Sequence, residues 1–399
     1  MKWAQQLLLA SVTAAAVACG DDPQAPARGG KSADSKNSPD GAGDAFDVAT
    51  LRAYLGQLAP LLVSRELEPA ELDQLDREKY AGLVPMLTKW TKDPLFPRAA
   101  RRLYSQKLSV SGTRDGIDFD LPGNLAEHVV KEDLPLSTIL TADYCVDAKG
   151  AKRECDSGAP YKAGVLVTRA YMASRASRFN LTRAGTMMHT FACYHYPLPQ
   201  AAEPRIDRTR LIDMFQTDQE VDENGKPKST FGNGAACYSC HAQFGPHAQL
   251  FVRFDEKGVY KADATGLQDP AGEVGRSLNG LFTSHMKNAT EAKAETSQML
   301  GKPVANLQEA AKVLVENPGF IPCQAENVIA YALRLSPDTK VKPEVLEEIA
   351  TKAREKGDPS FGTLVIQAFS HPGVIASVVA GIGMGATAPA AQENTEKTQ

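Results

Sequence analysis

The stretch Asn306-Leu307-Gln308-Glu309-Ala310-Ala311-Lys312-Val313-Leu314-Val315-Glu316-Asn317-Pro318 sets the fold class of this chain. Leu307, Ala310, Ala311 and Leu314 recur at i, i+3, i+4 and i+7, the stripe by which a helix buries one face. Asn306 with Glu309 reads as a capping-box-like start, and Pro318 stops the helix because it cannot continue the hydrogen-bond ladder. The same pattern repeats downstream. Pro322 is expected to open a helix carrying Ala325, Val328, Ile329 and Ala332, and a further helix is expected from Pro343 to Lys356 with Gly357 as its stop. Asp358-Pro359 is then expected to cap a helix carrying Phe361, Leu364, Val365 and Ala368. Upstream, Leu51, Tyr54, Leu55 and Leu58 show the same spacing. The expected fold is mostly α: a multi-part helical body with little strand.

The middle of the chain departs from this pattern. Gly, Pro and Asn punctuate residues 195 to 235, and no long periodic run survives there. Immediately after it stands Cys237-Tyr238-Ser239-Cys240-His241. Cys-x-x-Cys-His is the sequence by which a protein is bonded covalently to haem. Two cysteines three apart share one face of a helical turn, where each sulfur can add to one vinyl group. The next histidine can then turn a ring nitrogen to the iron. With seven Cys and seven His in 399 residues, the pattern arises by chance in roughly 0.2% of such chains. A zinc site would need four ligands, and no second Cys-x-x-Cys pair exists to supply them. A redox disulfide belongs on a thioredoxin-like βαβ pattern, which is absent. The expectation is one covalent haem c in a cytochrome-c-like segment, attached through Cys237 and Cys240, with His241 as the proximal iron ligand.

The second iron ligand stays open. Met299 lies 58 residues beyond His241, in a loop-like Ser-Gln-Met-Leu-Gly-Lys-Pro context. Met286, His285, His189 and His195 compete with it, and core filling competes for any methionine. His247, six residues from His241, is too close in sequence to reach the opposite face of the haem.

The N-terminus points to export. Lys2 precedes an apolar run from Leu7 to Val17 that is too short to span a bilayer, and the run ends in Ala16-Val17-Ala18-Cys19. Residues 1–18 read as a lipoprotein signal peptide with Cys19 as the lipidated residue; cleavage after Ala18 with an unmodified Cys19 is the alternative. Residues 19–45 are rich in Gly, Ser, Asp, Pro and Lys and read as a flexible tether. The body is expected to divide into an N-terminal helical domain (46–160), a haem-binding domain (161–265) and a C-terminal helical domain (266–385). A disordered tail follows (386–399). The apolar run from Gly373 to Ala386 falls short of the roughly 20 residues of a membrane helix and reads as a packed segment. The expected location is the bacterial cell envelope, anchored through lipid on the periplasmic or outer-membrane side.

The formal net charge is −4 and the mean hydropathy −0.29, which argues against nucleic acid as a partner. Arg98, Arg101 and Arg102 read as one solvated helix face. Four further cysteines, Cys145, Cys155, Cys193 and Cys323, suggest two disulfides in an exported protein, with three connectivities. Cys145 and Cys155 flank Gly150 and are close enough to staple one loop. Cys193 and Cys323 would then tie the haem segment to the C-terminal helices; four free buried cysteines are the alternative.

The order of motifs resembles a bacterial family of exported c-type cytochromes built from three consecutive domains of unknown function. Ala126-Glu127-His128-Val129-Val130-Lys131-Glu132-Asp133-Leu134-Pro135-Leu136 and Leu140 to Tyr144 are similar to the end of the first family domain. Ala163-Gly164-Val165-Leu166 resembles the opening of the middle domain. An Arg-Gly step near Arg183, Cys193, Pro197 and Pro199 follow in family order. After the Cys-x-x-Cys-His come Pro246 and a Phe-Asp-x-x-Gly-x-Tyr ending at Phe254, Asp255, Gly258 and Tyr260. Phe320 to Cys323 and Tyr331-Ala332-Leu333 resemble the third domain. The chain departs from the pattern at Arg183-Ala184-Gly185, Gly245 and His247-Ala248. The resemblance implies three helical parts, one haem, and Cys193 and Cys323 in separate family domains.

The function expected is electron transfer by a membrane-anchored single-haem cytochrome, exchanging electrons with a redox protein of the cell envelope. Two other readings stand beside it: a surface interaction or sensing lipoprotein in which haem is a structural staple, and a peroxidase-like haem enzyme. The chain reads more as an electron carrier than as a catalyst.

Overall fold

The stripe Leu51, Tyr54, Leu55 and Leu58 lies buried on one face of α1 (Val48–Leu62). Asp47 caps this helix, its carboxylate accepting the Thr50 N–H at 2.7 Å and satisfying one of the orphan donors of the first turn. The structure is a computed structural model that describes residues 46–176, 180–196, 223–224, 243, 246–262, 295–334 and 341–381. The signal peptide, the tether with Cys19, the C-terminal tail, Pro197, Pro199, Cys237, Cys240, His241, His285 and Met286 all lie outside the described residues.

After α1 come α2 (Pro69–Glu78), a 3₁₀ turn at Lys79–Gly82, α3 (Leu83–Trp90) and α4 (Pro97–Leu108). A hairpin of β1 (Thr113–Arg114) and β2 (Ile117–Asp118) leads to α5 (Leu121–Lys131) and α6 (Thr138–Thr141). A second hairpin joins β3 (Cys145–Val146) to β4 (Lys152–Arg153). A 3₁₀ turn at Gly164–Val167 precedes α7 (Arg169–Ser174) and α8 (Leu181–Ala192). The third hairpin, β5 (Ser297–Met299) with β6 (Lys302–Val304), opens the C-terminal part. It is followed by α9 (Leu307–Glu316), α10 (Phe320–Leu333), α11 (Pro343–Ala353), α12 (Phe361–Phe369) and α13 (Pro372–Gly381). Among the described residues the fold is mostly helical, at 59% helix against 7% strand, as the apolar periodicity requires. No single helix among the described residues is long and apolar enough to cross a membrane.

Helices from the two ends of the chain interleave. α10 packs on α1, α8, α11 and α12, while α12 packs on α3 and α13 on α1. Tyr54 Oη donates to the Phe369 carbonyl at 3.0 Å and Tyr80 Oη to that of Ser370 at 2.6 Å, so the first and last helical segments of the described residues are bonded as well as packed. One continuous apolar cluster runs from Leu51 to Val379, so elements of the three expected domains share a core. The 3₁₀ turn at Gly164 enters that core tightly: at φ +51°, a Cβ there would stand 2.0 Å from the Ile139 carbonyl oxygen.

Local starts and stops differ from the sequence reading in three places. Asn306 caps α9 by accepting from the N–H groups of Gln308 and Glu309, but Glu309 reaches back to the Ala305 N–H. α10 begins at Phe320, two residues before Pro322, which is tolerated because first-turn N–H groups have no intrahelical acceptor. Ser360 caps α12, its hydroxyl accepting from Thr363, while Asp358 turns away to accept from the Ser137 hydroxyl. Gly357, at φ +108°, ends the α11 segment as expected.

Candidate functional site

α8 leads into the chain that carries the Cys-x-x-Cys-His motif, and its last turn is fixed by side chains of α10. The Thr190 carbonyl accepts from Gln324 Nε2 at 3.0 Å and Asn327 Nδ2 at 2.8 Å. Helix C-terminal carbonyls need such partners when the backbone supplies none. Gln324 is held in turn by Tyr104 Oη at 2.9 Å, and Tyr104 stacks on Phe191. Cys193, in the left-handed region at φ +53°, ends the helix and is disulfide-bonded to Cys323 of α10. Cys145 is paired with Cys155 across the β3–β4 hairpin. Both pairs are those expected from the sequence.

The described residues on either side of the motif meet. Tyr196 Oη lies 2.6 Å from Nδ1 of His247, which is fully buried, and the Ser297 hydroxyl donates to the Pro246 carbonyl at 2.5 Å. On the far side of residues 263–294, the hydroxyls of Tyr161 and Tyr260 donate to Glu295 at 2.6 and 3.2 Å. Burial raises the Glu295 pKa above the usual carboxylate range, against the lowering pull of both hydroxyls and Arg253. The described residues that border these two stretches are therefore bonded around one junction: Tyr196 to His247, Pro246 to Ser297, and Tyr260 with Tyr161 to Glu295.

Arg183 holds the floor of that junction. Its guanidinium is completely buried and donates to the carbonyls of Met172, Phe254 and Asp255 at 2.9, 2.9 and 2.6 Å, and to Asn180 Oδ1 at 3.1 Å. Burial lowers its pKa to about 9, which leaves it a cation at neutral pH. The Phe-Asp-x-x-Gly-x-Tyr stretch is the turn that Arg183 clamps: Asp255 accepts from the N–H groups of Lys257 and Val259, and Phe254 pairs with Tyr260. Gly258, at φ +75°, lets this turn lie against α7, since a Cβ would meet the Arg169 carbonyl at 2.8 Å.

The candidate second ligands separate into two environments. Met299 ends β5 instead of lying in a loop, and it is fully buried in the apolar core. Leu300 and Gly301, at φ +48° and +75°, form the tight turn that makes its Ser-Gln-Met-Leu-Gly-Lys-Pro context a hairpin. The rings of His189 and His195 lie with centroids 4.3 Å apart; partial burial of the His189 ring, then His195 and Lys107, lower its pKa to about 4. Among the described residues no three His, Cys, Asp or Glu side chains are grouped to hold a metal ion.

Sequence reasoning missed the bonds that build the junction. Thr190, Gln324, Asn327 and Glu295 carry no short motif, and a buried polar residue on an apolar helix face, as at Gln324, is the only trace they leave; Arg183 stands in the family pattern, but its clamp on the Phe254–Asp255 turn does not show there. No family model, no curated protein and no solved structure matches this chain.

Proposed function

We propose that this protein is a single-haem c-type cytochrome of the bacterial cell envelope, anchored through Cys19 and working in electron transfer. The observation that carries the reading is Cys237-Tyr238-Ser239-Cys240-His241. Its donor set suits haem c: two thiols at the spacing for thioether bonds and an imidazole next to the second of them. The two disulfides support it, since paired structural cysteines belong to the oxidising side of a membrane. The junction supports it as well, because Tyr196, His247, Pro246 and Ser297 tie together the chain on both sides of the motif.

In this reading Cys237 and Cys240 hold the group, His241 binds its iron, and the group supplies a one-electron change at that iron. The chain's task is then to keep the motif in place through redox turnover; in support, the Cys193–Cys323 bond and the α8–α10 hydrogen bonds fix the helix that leads toward it in sequence. Met299 is carried forward as second ligand because its hairpin begins at Ser297, which is bonded to Pro246 five residues after His241.

The test is expression in a cell competent in cytochrome maturation, followed by a haem stain of a denaturing gel and a pyridine haemochrome spectrum. A stained band lost in Cys237→Ser plus Cys240→Ser is expected; an unstained wild-type band overturns the proposal. Met299→Ala should abolish near-infrared absorption from a sulfur–iron bond, and persistence of that band returns Met299 to the core. Cys19→Ala should release the protein from the membrane fraction.

A further inference from the structure

The cleft between α4, α5 and the loop of the β3–β4 hairpin gathers donors that have no acceptor. Three residues of its lining each carry a buried side-chain nitrogen with no hydrogen-bond partner among the described residues: Asn124 Nδ2, His128 Nε2 and Arg102 Nε. Asn124 is only 4% exposed. Amide and guanidinium nitrogens can only donate, and a neutral imidazole donates from Nε2 in one of its tautomers. Burial, foremost among several influences, lowers the His128 pKa and favours the neutral ring. A buried donor without an acceptor costs about 1–3 kcal/mol. Three of them around one cleft call for a ligand that brings several acceptors.

The charge around them points the same way. Arg98, Lys131 and Lys149 stand exposed on the rim. The two carboxylates of the lining are already engaged: Glu127 with Arg101 at 3.3 Å, and Asp147 with the N–H groups of Lys149 and Ala151. The Arg102 terminal nitrogens donate to the Leu61 carbonyl and the Ser64 hydroxyl, and its Nε has no partner among the described residues. The cleft encloses about 480 Å³, room for more than a monatomic ion. The Cys145–Cys155 bond staples the hairpin whose loop, from Asp147 to Gly150, forms one wall.

We propose that this cleft binds a phosphate-bearing anion, whose oxygens accept from Asn124, His128 and Arg102 while Arg98, Lys131 and Lys149 balance its charge. Unpartnered donors on two helices suit the several oxygens of a phosphate better than the two of a carboxylate. The site is independent of the haem reading, since none of its residues belongs to the motif or the junction.

The test is isothermal titration of the whole chain with inorganic phosphate and with pyrophosphate at constant ionic strength. It is paired with co-sedimentation on phosphatidylglycerol vesicles against phosphatidylcholine vesicles. Saturable binding in either arm is expected, with at least tenfold weakening in Asn124→Asp, which places a carboxylate where the ligand oxygens would sit. Arg98→Glu with Lys149→Glu, both at exposed positions, should weaken binding as much without disturbing the core. Binding in solution alone identifies a free phosphate compound, and binding to anionic vesicles alone identifies a lipid headgroup; each supports the site. Absence of saturable binding in both arms, or unchanged affinity in the exposed double variant, overturns it.

Discussion

Where α12 meets α3 and α13 meets α1, packing is mostly apolar; where α8 meets α10, it is largely polar. Leu51, Leu55, Leu58, Leu87, Leu364 and Val365 are completely buried in the first region. The second is joined by Thr190, Gln324, Asn327, Tyr104 and the Cys193–Cys323 bond. Apolar packing is non-directional and tolerates exchange of similar volumes, whereas a buried hydrogen bond fixes one geometry and is costly to leave half-made. The helical body is thus built to be stable. The α8–α10 contact, which comes before the Cys-x-x-Cys-His motif in sequence and leads to the junction at Tyr196, is built to hold particular backbone groups in particular places.

Opening the Cys193–Cys323 bond should separate the two regions most strongly. It closes a sequence interval of 130 residues, for which the chain-entropy model gives about 5 kcal/mol. Cys193→Ser with Cys323→Ser should lower the urea midpoint and speed hydrogen exchange in α8 and β5–β6 ahead of α1. Equal acceleration in α1 would show that body and junction open as one unit. Leu55→Ala strikes the body instead: emptying a fully buried site should cost about 3 kcal/mol. A loss under about 1 kcal/mol would mean that the α1 stripe relaxes around the cavity.

Acid tests a polar bond that lies within the body itself. Burial pushes the Glu71 pKa up, but Arg65 at 2.8 Å, the Glu68 N–H at 2.9 Å and Trp90 Nε1 at 2.8 Å together pull it down to about 2. The folded value lies below the ordinary 4.5, so the stabilisation is complete above that pH and fades as pH falls toward 2. It should amount to about 2 kcal/mol, discounted for the partly exposed Arg65. Thermal melts from pH 6 to pH 2.5 should show this acid limb in the wild type and a flatter one in Glu71→Gln. Equal limbs would place the acid sensitivity elsewhere.

The same contrast explains how far the sequence could be read. Leu307, Ala310, Ala311 and Leu314 announced α9 because burial of one face imposes a period, and Gly357 announced a stop because its φ excludes most side chains. The pairing of Cys145 with Cys155 followed from their short spacing, and the remaining two cysteines had only each other. Met299 was read as lying in a loop because the Leu300-Gly301 turn is shorter than the window in which strand alternation shows. Ser360 displaced Asp358 as the α12 cap because the choice depends on which oxygen reaches the Thr363 N–H. The junction was least legible, since Tyr196 and His247 are 51 residues apart and Tyr161 and Glu295 are 134 apart. No periodicity links such positions.

The smallest effect expected is also the most local. Tyr196→Phe removes one hydroxyl, and with it the 2.6 Å bond to His247 that joins the chain on either side of the motif. A single hydrogen bond of this kind contributes about 1 kcal/mol. If the bond acts as a clasp, limited proteolysis should cut between Tyr196 and Pro246 about fivefold faster in the variant, with cleavage elsewhere unchanged. Acceleration spread over the whole chain would make Tyr196 part of the general core. No acceleration would leave the Ser297 bond to Pro246 and the Cys193–Cys323 disulfide as what brings the two sides of the motif together.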